Sequence, residues 1–593
     1  MNKTVLVKEN FNKKQFDEII TSNGLKENYE YSKRFYQEMK NTDDNTERLI
    51  YQLFGDITSY HLDLDSKGIP YGPYLITKDR RSPSIEDLNE EELSFLDDII
   101  EEITNSEIKA RVADVLWIRK RNYQKAMIAC NAYLQAYYQM VKPESWNSST
   151  QRLERAVQLS KLFRKGKAKE NILEALDKEI EKYSNEKKSL FLHHLVELML
   201  KIQKSNFTKY AEILKKTAQS LEKEKDWRLS GEYWNLCSEC YRYDKNLVER
   251  DQAKEAYGNT YIMLAYEAIH NNDTPIYAVA SVHLNNAIEI YRRIETARDI
   301  VKKLHIEMLE YQKKAVKQMQ KIEISNIDIS KITQDVIAEV KEKSFREKLF
   351  ILSTHWTTLD IKAIEEQARK SLKENVLDRF LPTVKVNSEG KNIHKSSSAY
   401  FHDQESAEFK EALKDEMHKQ SQIYRQMAVQ AMICPIQEQI RSEHFFMLRD
   451  LLFLVVNNPF IPEGREQIYA EGLLAGLRGD FLISTHLLIP QLENSIRYIL
   501  ANEGEIVSTL NSEGIQEEKN LNTLLYNPKL KNLLGDTIVF DLQGLLVEKS
   551  GHNTRNLVSH GLYNYNEFLS VPTIYTWWII FKICCVCQYS LFK

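Results

Sequence analysis

Near the C-terminal end the run Gly551-His552-Asn553-Thr554-Arg555-Asn556-Leu557-Val558-Ser559-His560-Gly561-Leu562 gathers groups that can handle a phosphodiester. A histidine moves protons near neutral pH, the task of a general acid or base. A guanidinium grips a phosphate through two parallel N–H donors and offsets charge that grows in the transition state. Metal-free RNA cleavage needs both and little more, because the substrate's 2′-hydroxyl is the nucleophile; neither cofactor nor metal is called for. Asn553 is a residue type that caps helices, and as N-cap it places Arg555 and Asn556 in the first turn. Free backbone N–H groups and the positive end of the dipole favour a phosphate there. Asn556 and His560 are four apart and share a face, so the amide can orient the imidazole. Arg555 and His560 are five apart, about 140° round an ideal helix. They meet at one phosphate if the arginine wraps round the turn, or if two motifs converge from two chains.

A second set lies upstream. His486, Glu493 and Arg497 are separated by seven and four, which puts all three within about 40° of one helical face. Glu493 and Arg497 can pair across a turn. That face can point at His560 and charge-balance it, or form a structural network between helices; both readings stand. Other chemistries lack their signatures: there is no Walker-type loop, dinucleotide fingerprint, nucleophile elbow or H-E-x-x-H. Cys237 and Cys240 form a lone C-x-x-C without a second pair, and on a helix they are simply neighbours on one face. His193-His194 with Glu197 reads as structural, since two adjacent histidines cannot both face one metal.

The elements that must position these groups are helices. Only 18 glycines and 12 prolines occur in 593 residues, and scarce breakers favour long helices joined by short turns. The fold class expected is all-α, with a helical-repeat-like N-terminal region and a C-terminal helical bundle, since the chain is too long for one core. Residues 1–85 are mixed and end in a turn-rich patch, DSKGIPYGPYLITKDRRSPS. Residues 86–380 show roughly ten segments of helical period between about 90 and 325. Tyr210, Ile213, Leu214, Thr217, Ala218 and Leu221 are one example. Successive pairs suggest a solenoid, although no 34-residue consensus is legible. Such a region offers a concave surface to a protein partner or trigger, or is an irregular helical domain without a groove. Residues 381–407 are polar and read as a linker. Residues 408–593 form the C-terminal domain, with a helix break near Gly479.

Charge and termini bound the partners. A net charge of −4 excludes a global nucleic-acid field, so RNA contact must come from a local surface. The densest basic run, Lys313 to Lys321, reads as a solvated helix face. Seven scattered cysteines and a start without an apolar secretory core point to a cytoplasmic, reduced protein. The apolar stretch Val571 to Phe592 has Lys582 at its middle. It reads as a buried last helix, so no stable membrane insertion is expected.

Arg555-Asn556-Leu557-Val558-Ser559-His560 resembles the R-x(4–6)-H motif of the HEPN superfamily, with a polar residue directly after the arginine. The text PEGREQIYAEGLLAGLRGDFLISTHLLIPQLENSIRYIL and the later TRNLVSHGLY are similar to a bacterial family. That family shares its C-terminal domain with the eukaryotic ER-membrane-associated RNA degradation protein. The resemblance is strong over about residues 460–565, and fainter over the helical N-terminal part, where RVADVLWIRK is the most telling piece. It implies a four-helix bundle, a homodimer through the C-terminal domain, and a metal-independent ribonuclease that leaves 2′,3′-cyclic phosphate ends. The role it implies is antiviral defence, such as phage resistance by abortive infection, with the helical region sensing a trigger. Arg555 and His560 become the catalytic pair and Asn556 the supporting polar residue. Glu493, Arg497 and His486 become nearby or cross-dimer contributors. One departure stands: Ser550 and Thr554 hold positions where some HEPN nucleases place Glu and Lys. The alternative is a non-catalytic scaffold whose degenerate bundle binds nucleotide or a partner protein.

Overall fold

The computed structural model describes residues 6–21, 27–66, 68–77, 80–142, 146–163, 166–185, 189–203, 206–271, 274–319, 328–355, 359–374, 383–387, 389–396 and 406–588. The fold is all-α. The strands among the described residues form three antiparallel two-stranded hairpins, at 61–62/71–72, 384–386/392–395 and 508–510/516–518. The chain divides into two compact units, Met1–Ala315 and Val316–Lys593.

In the first unit, helices from Glu90–Ile99 to Tyr277–Tyr291 each pack mainly on a chain neighbour, a helical-repeat-like arrangement. The period read at Tyr210 becomes a buried stripe of Tyr210, Ala211, Leu214, Thr217, Ala218 and Leu221. The described part of residues 1–85 is more helical than its mixed text suggests. Lys13–Thr21, Asn28–Asn41 and Asn45–Ser59 are helices that bring Phe16, Phe35 and Phe54 together, with ring centroids 4.7–5.5 Å apart. The last of these starts where the Asp44 carboxylate accepts from the Thr46 and Glu47 N–H groups. Cys237 and Cys240 are both buried, and burial pushes the Cys237 thiol up to about 12. His193 and His194, although adjacent, both turn Nδ1 to within 3.6 Å of the same Glu197 oxygen.

The second unit is built round the helix Val571–Cys587. Tyr575, Trp577, Trp578, Ile579, Ile580, Phe581, Cys584 and Cys585 are all buried in it. Its polar atoms are answered by backbone carbonyls: Trp578 donates to Leu352, Trp577 to Leu473 and Lys582 to Ser353. The stretch Tyr565–Cys587 is the one among the described residues long and apolar enough to cross a membrane, and two thirds of its apolar window is buried in the fold. Helices Ser330–Val340 and Phe345–Thr354 add Val336, Val340, Leu349 and Leu352 to this core. Residues 330–374, grouped by sequence with the N-terminal helices, thus belong to this unit. The segment read as a linker holds the hairpin Val384–Val386/Asn392–Lys395 in its described part. The helix Ala407–Ala428 continues through a π turn at Val429–Ile433 into Cys434–Glu443. The widened turn lies just before Pro435, which has no N–H to donate. Gly479, at φ +90°, makes the turn between Glu466–Leu477 and Phe481–Asn502. The second of these runs unbroken past Pro490.

Candidate functional site

The helix carrying the motif is short, Thr554–Ser559, and is held from several sides. Ahead of it, Gly551 lies so close to Gly544 of the helix Asp536–Leu546 that a Cβ there would sit 1.9 Å from the Gly544 carbonyl oxygen. The next residue, His552, donates its N–H to that same oxygen at 2.7 Å. Lys385 of the hairpin donates to the Gly551 carbonyl and, at 3.4 Å, to that of Lys549. Burial lowers the Lys385 ammonium below its usual range. Thr554 is fully buried and bonds the Tyr563 hydroxyl at 3.2 Å.

Asn553 occupies the N-cap position but does not cap with its side chain. It sits in the left-handed region at φ 53°, ψ 31°, not in the extended conformation from which a cap reaches forward to the free N–H groups. Its Oδ1 accepts instead from the Asn556 amide at 2.6 Å. The expected phosphate cradle at a capped helix start is corrected accordingly, and six residues supply little macrodipole. Arg555 and Asn556 do lie in the first turn, while His560 falls at the C-cap.

The two sets picked from the sequence meet at one pair, Glu493 and Arg555. Glu493, on Phe481–Asn502, accepts from Arg555 Nε at 3.2 Å and Nη2 at 3.1 Å through one carboxylate oxygen. Its other oxygen takes the Leu521 N–H at 3.1 Å and stands 3.5 Å from Arg497 Nη2. Arg497 also donates to the Lys519 carbonyl at 3.0 Å and lies 2.9 Å from Glu518. Glu493 therefore ties three segments of chain at one carboxylate. His486 contributes differently. It is exposed, donates Nδ1–H to the Leu482 carbonyl at 2.9 Å, and packs its ring 5.2 Å from that of Phe568. It thus props the segment after the motif and reaches no motif side chain directly.

Asn556 does not orient the imidazole. Its Oδ1 accepts from Arg555 Nη1 at 3.0 Å, and its link to His560 is only the helical bond from the His560 N–H to its own carbonyl. The amide supports the arginine. His560 itself is exposed. With Glu493 on the Nε–Nη2 edge and Asn556 on Nη1, one N–H remains on each of Nη1 and Nη2. Such guanidinium donors can bond a phosphate. The short helix thus carries a fixed guanidinium in its first turn and ends at an exposed imidazole. Sequence reasoning missed the Gly551–Gly544 contact, Lys385, Tyr563 and the Leu521 amide. The paired glycines were a readable signal; the rest were not. Among the described residues no group of three or more His, Cys, Asp or Glu is placed to hold a metal ion.

Comparison with known proteins gives one match. Residues 1–172 match a family model described as a domain of unknown function (DUF7380). No curated protein and no solved structure matches the chain.

Proposed function

We propose that the chain is a metal-independent ribonuclease of the HEPN type, with His560 as general acid and base and Arg555 as phosphate clamp. The observation that carries this reading is the ion pair from Arg555 to Glu493, which fixes the guanidinium on the short helix that an exposed His560 closes and leaves two of its N–H groups without a partner among the described residues. The part-buried pair, at 24% and 15% side-chain exposure, holds the arginine in place before substrate arrives, and preorganisation of this kind is where enzymes gain most. Glu493 and Asn556 position Arg555, Arg497 braces Glu493, and His486 braces the chain after the motif. Leu482 and Ile483 on the helix Phe481–Asn502, and Leu562, Tyr565 and Leu569 after the motif, are exposed. A second copy that covered these apolar side chains would give the homodimer in which two motifs converge. Phage defence, with the first unit sensing the trigger in a cytoplasmic setting, is the role this reading carries.

The test is purified full-length protein with total RNA in excess chelator. Cleavage that leaves 2′,3′-cyclic phosphate ends, and is lost in His560→Ala and Arg555→Ala, supports the reading. Mixing those two variants locates the site: recovered activity means arginine and histidine come from different chains. Intact RNA with wild type under activating and non-activating conditions leaves the second reading, a non-catalytic scaffold that binds nucleotide or protein. That reading draws on the Asn556 amide, which is engaged with Arg555 and Asn553 instead of the imidazole.

A further inference from the structure

Buried arginines of the first unit are matched by carboxylates, with one exception. Arg155 pairs with both oxygens of Asp114 at 2.8 and 2.9 Å, and Arg152 with Glu107 and Glu27. Arg111 is only 6% exposed, yet no carboxylate lies within ion-pair distance of it among the described residues. Asp114, one turn further along the helix Ser106–Lys120, is taken up by Arg155. Arg111 spends Nη1 on the backbone carbonyls of Ile57 and Tyr60, at 3.3 and 2.7 Å, and lies 5.4 Å from the centre of the Tyr71 ring. A guanidinium withdrawn from water without a counter-charge is costly, so such a group is ordinarily paired.

Arg111 lines a cavity of about 580 Å³, a size within the ordinary range of small-ligand sites. The charged side chains of its wall are Lys33, Arg111 and Arg152 against Glu27, an excess of positive charge. Asn28 is on the same wall, its amide donating to Glu107. Tyr29 and Tyr74 also line the space and are 70% and 76% exposed, offering ring faces on which a planar group can stack. The two features ask for one occupant: an anionic group for Arg111 and a ring for the tyrosines. We propose that this cavity is a binding site for a nucleoside monophosphate-sized ligand, its phosphate on Arg111 and its base against Tyr29 and Tyr74. The site lies wholly in the first unit and is independent of the reading given to Arg555 and His560.

The test is calorimetric titration of the full chain with 5′-AMP and 5′-UMP, and with adenosine, uridine and inorganic phosphate as separate arms. At least one nucleotide is expected to bind with Kd below about 1 mM, at least tenfold tighter than its nucleoside, with inorganic phosphate competing. Arg111→Met should weaken the nucleotide at least tenfold. Because that variant could also disturb folding, Tyr74→Ala serves as the second: it should weaken the nucleotide severalfold and leave phosphate binding and the melting temperature unchanged. His560→Ala should bind like wild type. Absence of binding by both nucleotides, equal affinity for nucleotide and nucleoside, or a Tyr74→Ala chain that binds like wild type overturns the proposal.

Discussion

Two arginine–carboxylate pairs in the second unit show what burial does to the same chemistry. Arg425 and Asp541 meet at 2.6 Å with both side chains fully buried, and the Tyr575 hydroxyl donates to the second Asp541 oxygen at 2.9 Å. Arg555 and Glu493 meet at 3.1 Å with both side chains partly exposed, and the short helix that carries Arg555 ends at a histidine open to solvent. The first pair is sealed among helices, with His418 stacked on Phe540 and both of that imidazole's nitrogens unpartnered. No substrate reaches it, so its charges serve architecture. The second keeps two N–H groups free where a ligand can approach, so its charges are available for work. An ion pair read from sequence as functional must pass this test of access as well as of spacing.

Breaking the sealed pair should have the largest effect. Asp541→Ala leaves Arg425 buried with no counter-charge, and about 3–5 kcal/mol of stability should disappear. Arg425→Met/Asp541→Leu removes both charges and should recover much of it. Denaturant unfolding of the two variants decides the matter. An equal loss in both would mean that the pair acts through shape and not charge.

His560→Ala probes the open side of the comparison. RNA cleavage should fall about 10²–10⁴-fold, the usual contribution of a general acid or base. The unfolding midpoint should stay put, because an exposed surface side chain contributes little to stability. A variant that loses stability along with activity would assign the histidine to packing.

Acid should find the sealed region first. Burial, then the charges of Arg425, Lys414, His552 and Lys385, hold the His418 imidazole down to about 3. Burial, then Arg425 and Lys385, hold His552 down to about 3. Both would titrate near 6.5 once unfolded. Between those values the unfolded chain takes up protons that the folded chain refuses. Stability is therefore complete above pH 6.5 and is lost as pH falls towards 3. At pH 5 the loss should be about 2 kcal/mol per histidine. His418→Leu should roughly halve the slope of stability against pH between 6.5 and 5; an unchanged slope would show that His418 is reached by water.

What was legible in the sequence follows the same divide. The helical period exposed the buried stripe at Tyr210–Leu221, the glycine turn at Gly479 and the burial of the Val571–Cys587 helix. Spacing alone put His486, Glu493 and Arg497 on one face, and of the three Glu493 meets the motif, at Arg555. Contacts made by backbone atoms were illegible, because any residue can supply them: Leu521 N–H on Glu493, and Gly551 carbonyl on Lys385. Asn553 misled for a related reason. Its type suits a helix cap, but after Gly551-His552 the chain turns through the left-handed region and its side chain finds Asn556 instead. The hairpin at 384–395 was hidden by polar, glycine-containing text that a loop and a short edge share.

The smallest effect is the one that best sharpens the comparison. Glu493→Gln keeps the shape of the carboxylate and removes its charge, so the Leu521 N–H can still find an oxygen while Arg555 loses its counter-ion. Because both partners are partly exposed, the stability cost should be only about 1 kcal/mol. If Glu493 positions the guanidinium, RNA cleavage should fall about tenfold, most of it in kcat. If Glu493 instead restrains Arg555 from reaching substrate, the same variant should cleave faster. A positioning carboxylate and a restraining one are identical in geometry, and the sign of this one rate change separates them.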